Sequence, residues 1–205
     1  MTNGKISYLM FTMKIRELLK SCISIDLETT HLDPNVGSVI SAGACLFDRP
    51  DELYIECAVR NGALIDPYSL KVNGENKDDL LARSLDFENE FVLYERVVHF
   101  ARKHNALVII GKNPEFDYNW LKSIQERYKN KASEFPFSYR KINWANMVIP
   151  LMIINNVEIN HANLSSDSIS AFAGLSEEVK PHNALNGAIH NRACVERILE
   201  MYMDF

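Results

Sequence analysis

No stretch of about eighteen apolar residues occurs in the chain, so no membrane-spanning helix is expected. The apolar run Tyr8–Met13 is short for the core of a signal peptide, and Lys14, Arg16 and Lys20 follow it instead of preceding it. A surplus of positive charge is missing too: 22 Lys and Arg against 27 Asp and Glu leave a formal net charge of −5. That balance argues against a module that coats nucleic acid through non-specific phosphate contacts. It is compatible with an enzyme that gathers carboxylates around cations, because the cations neutralise the site locally. Cysteines are few, and Cys22, Cys45, Cys57 and Cys194 fit neither a zinc spacing nor a dense disulfide framework. Buried free thiols in a reducing compartment are expected, and with them a cytoplasmic location. No internal repeat, low-complexity segment or compositional shift marks a linker. The chain therefore reads as a single domain over residues 21–205 behind an N-terminal extension of residues 1–20.

What is present is a core-forming pattern, with 47% hydrophobic and 24% charged residues. Cys22–Leu27 is a short, β-branched apolar run that ends in acidic residues and reads as a strand. Ser38–Phe47, beyond the turn signal Asp33-Pro34-Asn35, predicts a second strand, and Leu53–Val59 a third. Residues 66–86 predict short helices. Phe87–His104 repeats apolar residues at helical spacing, as does Glu115–Tyr128. Between them, Leu107–Gly111 lacks polar alternation, as a strand covered on both faces does. A short strand is expected near Tyr139–Ile142, then a helix rich in Met, Ile and Leu, a short helix over Ser165–Ala173 and a last helix over Ala188–Met203. This order predicts an α/β fold with a mixed sheet flanked by helices.

Three segments carry candidate chemistry. Asp26 and Glu28 end the first strand, and alternation puts them on one face about 7 Å apart. Two carboxylates that close repel each other unless cations lie between them, and hard oxygen ligands suit Mg²⁺ or Mn²⁺. Asp117 falls in the first turn of a helix that Asn113-Pro114 opens, next to the end of the Leu107–Gly111 strand. His182 stands shortly before the last helix, and an imidazole there would be able to deprotonate water near neutral pH. Phe116 and Trp144 would either stack on bases or fill the core, and Lys112 and Lys180 would be able to meet phosphates.

Together, Asp26-x-Glu28-Thr29-Thr30, Asn113-x-x-Phe116-Asp117 and His182-x-Ala184-Leu185, in that order, resemble the DEDDh (DnaQ-like) 3′→5′ exonuclease superfamily. The resemblance runs from about Cys22 to Tyr202. It implies a ribonuclease H-like fold with a mixed five-stranded sheet flanked by helices. It also implies release of nucleotides from the 3′ ends of single-stranded DNA or RNA with two divalent metal ions, Mg²⁺ or Mn²⁺. Asp26, Glu28 and Asp117 match the family's metal-binding carboxylates, and His182 its general base. Thr29 and Asn113 match substrate-contacting positions. Some members of the superfamily form homodimers, and residues 1–20 have no counterpart in it.

The family places one more aspartate five residues after the histidine, and here that residue is Gly187. Three accounts follow: a substitution particular to this chain, a catalytically inactive protein that binds nucleic-acid ends or other proteins, or replacement of the ligand by Glu177, Glu178 or His190. Gly187 either costs about 1 kcal/mol inside a helix or forms a turn with Asn186, the helix then starting at Ala188.

Overall fold

The computed structural model describes residues 13–83, 87–178 and 182–203. Strands β1 (Cys22–Thr29), β2 (Val39–Leu46) and β3 (Glu52–Glu56) form an antiparallel meander. Strands β4 (Val108–Gly111) and β5 (Ile142–Asn143) add in parallel on the other side of β1, giving the order β3-β2-β1-β4-β5. This is the mixed five-stranded α/β sheet that the sequence predicts. Its helices are α1 (described over residues 13–19), α2 (Pro67–Asn73), α3 (Lys77–Ala82), α4 (Glu90–Lys103), α5 (Pro114–Arg127), α6 (Ala145–Ile154), α7 (Ser166–Phe172) and α8 (Ala184–Met203).

Alternation along β1 sorts its side chains between two cores. Ile23, Ile25 and Leu27 pack with Leu93 and Val97 of α4 and with Trp120 and Leu121 of α5. On the opposite face Cys22 joins Ile110, Trp144 and Val148, with Val195 and Ile198 of α8. Asp26 and Glu28 share the parity of Cys22 and so belong to the α8 face. The two helices on the first face are tied by Glu90, whose side chain is only 1% exposed. Arg127 donates to both its oxygens, at 2.9 and 3.2 Å, and reaches the Pro34 carbonyl at 2.8 Å, which holds the loop after β1 against α5.

One glycine decides how closely α8 approaches the sheet. Gly43 on β2 lies opposite Asp26, and a Cβ there would overlap the backbone of Ala184 and Leu185. Its absence lets the first residues of α8 rest directly on β2 beside Asp26.

Two of the boundaries that differ from expectation have a visible cause. Helix α8 starts at Ala184, not Ala188, because the Asn183 side chain caps it by accepting from Leu185 N at 3.0 Å and Asn186 N at 3.3 Å. Gly187 N then bonds Asn183 O at 2.9 Å, so Gly187 is helical and not part of a turn. Strand β3 ends at Glu56, short of Val59, because Ala58 N turns away to Glu88 O at 2.8 Å. All four cysteines are buried and free. Among the described residues no helix is long and apolar enough to cross a membrane.

Candidate active site

Three segments distant in sequence meet at the end of β1. The strand supplies Asp26 and Glu28, and its register with β2 shifts between Glu28 and Thr29. Bulges of this kind end pairing and re-aim side chains beside functional sites. Helix α5 supplies Asp117 from its first turn, whose Oδ1 accepts from Leu27 N at 3.1 Å and so pins the helix start to β1. The chain leading into α8 supplies His182, and the helix itself Gly187. These residues, with Asn113, Lys112 and Glu178, line a cleft of about 240 Å³.

The cleft is electrostatically strained. Glu28 is 8% exposed and Asp117 7%. Burial, reinforced by the charges of Asp117, Glu28 and Glu178, pushes the Asp26 carboxyl well above the usual carboxylate range. Burial raises Glu28 to about 7; His182 pulls it down, while Glu178 and Glu75 push it up. Burial also lifts Asp117 to about 8, against the pull of its own and the Leu27 backbone N–H groups. Among the described residues no Lys or Arg forms an ion pair with these three carboxylates.

Clustered anionic oxygens without a cationic partner are the donor set that a hard divalent cation satisfies, so the residues fit such an ion in kind. Among the described residues no group of three or more His, Cys, Asp or Glu side chains is already arranged to hold a metal ion.

His182 is held from behind. Its Nδ1 lies 3.0 Å from Glu178 Oε1. With Nδ1–H donating to that carboxylate, Nε2 keeps its lone pair free to accept a proton. Gly187 lies against the same carboxylates: a Cβ there would come 2.7 Å from Asp26 Cγ and 3.3 Å from Glu178 Oε1. Of the three residues named as replacements for the missing aspartate, Glu177 lines a different pocket, beside Asn186. His190 touches the cleft, but its Nε2 is 2.8 Å from Ser170 Oγ. Glu178 alone among them brings a carboxylate into the cleft.

The remaining expectations divide. Asn113 lines the cleft. Thr29 does not; its hydroxyl donates to His31 O at 2.9 Å, and the residue borders an adjoining pocket of about 320 Å³. Leu32, Tyr68 and Val72 line that pocket, which shares Leu27, Glu28 and Phe116 with the cleft. Phe116 is therefore accessible from both sides. Trp144 is fully buried and donates Nε1–H to Asn191 Oδ1 at 2.8 Å, so it is a core residue and cannot stack on a base. Burial holds the Lys112 ammonium below its ordinary pKa. Lys180 lies outside the described residues. Sequence reasoning missed Leu32 and Tyr68, about 70% and 68% exposed; single apolar residues in polar stretches carry no pattern.

No protein-family model matches the chain, and no curated protein sequence does either. Solved structures share its fold. The nuclease domain of 3′hExo, a DEDDh family member bound to rAMP, superposes with a TM-score of 0.66 at 12% identity, over 87% of this chain and 91% of that one. Cell-death related nuclease 4 (CRN-4) gives 0.68 at 11% identity, over 88% of this chain and 64% of that one. E. coli exonuclease I in complex with a 5cy-dT13 oligonucleotide gives 0.66 at 16% identity, over 84% of this chain and 39% of that one. At these identities the likeness is one of fold, the ribonuclease H-like sheet flanked by helices.

Proposed function

We propose that the protein is a metal-dependent 3′→5′ exonuclease that releases nucleotides from single-stranded DNA or RNA ends, its domain spanning residues 21–205. The observation that carries this reading is the convergence of Asp26, Glu28, Asp117 and His182, from three separate segments, on one cleft. The fold shared with the nuclease domains of 3′hExo and CRN-4 adds support.

In this reading Asp26, Glu28 and Asp117 would hold two Mg²⁺ or Mn²⁺ ions. Bound there, the ions would neutralise phosphoryl charge and acidify water. His182 would take the proton of the attacking water at Nε2, its other nitrogen fixed by Glu178. Phe116 and Tyr68 would offer faces for the terminal base in the adjoining pocket, with Thr29 at its border and Asn113 on the cleft side.

Gly187, where the family has an aspartate, favours a second reading, a nucleic-acid-end binding or protein-interaction module that does not cut. A 5′-labelled single strand of DNA or RNA, incubated with Mg²⁺ or Mn²⁺, separates the two. The exonuclease reading predicts a ladder shortening from the 3′ end that chelation stops. Retention of the strand without shortening would establish the second reading, and neither binding nor shortening would overturn both.

A further inference from the structure

The first turn of α8 presents no side chain to β1 at Gly187, and a carboxylate from another segment occupies the space beside it. Glu178 Oε1 lies 3.3 Å from the point where a Cβ on residue 187 would sit, and that point is 2.7 Å from Asp26 Cγ. The Glu178 side chain is only 13% exposed. It is fixed by its 3.0 Å contact with His182 Nδ1, and among the described residues no Lys or Arg draws it away by an ion pair. Its charge is felt by both carboxylates of β1, Asp26 and Glu28.

We propose that Glu178 is the fourth carboxylate of the site, delivered by the segment ahead of His182 instead of by α8. The inference rests on the exonuclease reading. Three ionised carboxylates leave one positive charge of two dications uncompensated, and Glu178 closes that deficit from the side that Gly187 leaves open. The same arrangement explains why glycine suits position 187. A side chain there would displace the Asp26 carboxylate and crowd Glu178. Restoring an aspartate by Gly187→Asp would therefore place a further negative charge among groups that already repel one another.

The test is Mn²⁺ binding to the whole protein without nucleic acid, measured by titration calorimetry on the unaltered protein, Asp26→Asn and Glu178→Gln. Thermal unfolding without metal serves as the check on folding. Glu178→Gln keeps the shape of the side chain, so its unfolding midpoint should not fall, while Mn²⁺ affinity drops about ten-fold or more. The same loss should persist when Glu178→Gln is made in a His182→Ala background, because a carboxylate that met the ion would not act through the imidazole. If that loss disappears in the His182→Ala background, Glu178 only orients the histidine and the proposal is overturned. If Asp26→Asn weakens Mn²⁺ binding but Glu178→Gln does not, the proposal fails while the exonuclease reading stands. If the unaltered protein binds no Mn²⁺, the metal-dependent reading fails and takes the proposal with it.

Discussion

Asp117 works under opposed influences. Burial lifts its carboxyl to about 8, while two backbone N–H groups pull the other way. An unfolded carboxyl titrates near 4, so between about 4 and 8 the folded protein holds a proton that the unfolded chain releases. The folded state binds more protons in that window, and its stability must fall as pH rises through it. Glu28, raised to about 7, adds in the same sense. The thermal midpoint of the metal-free protein is therefore expected to decline from about pH 5 to 8, more steeply than in Asp117→Asn, whose side-chain oxygen still accepts from Leu27 N. Equal slopes in the two proteins would show that Asp117 is not carrying the proton. At this scale Asp26, Glu28, Asp117 and His182 were legible because each sits at the end of a strand or the start of a helix, where pattern marks it. Glu178 was legible only as one of three neighbours, since residues 175–178 have no regular structure to aim a side chain. Trp144 was ambiguous because its partner, Asn191, is far along the chain.

Gly43 and Asn183 set the position of the element that completes the cleft. Asn183 starts α8 one turn earlier than apolar periodicity suggests, and Gly43 lets that start lie flat on β2. The obstacle to a side chain at position 43 is backbone, which cannot swing aside as the tip of a flexible side chain does. Gly43→Ala is expected to cost about 1–3 kcal/mol in denaturant unfolding, and to lower cleavage further by lifting His182 away from β1. A variant with unchanged stability and unchanged cleavage would show that the approach of α8 is not essential. Strand and helix identities were legible because period-2 and period-3.6 patterns survive in a single sequence. The glycine contact was not, because it depends on two segments far apart in the chain.

The whole molecule is acidic, and the cleft that gathers its carboxylates is acidic as well. A polyanionic strand gains nothing from such a surface by charge alone, so in the exonuclease reading its engagement at this site would require cations that neutralise the carboxylates. The central claim is that carboxylates from β1 and α5 act as one unit on the strand end. The most direct test is a double-mutant comparison of single-turnover cleavage with Mn²⁺, using Asp26→Asn, Asp117→Asn and the two combined. Residues that act as a unit are not additive, so each single variant should lose at least about 100-fold and the double variant little more than either. Losses that multiply in the double variant, or cleavage that survives Asp26→Asn undiminished, would contradict the account.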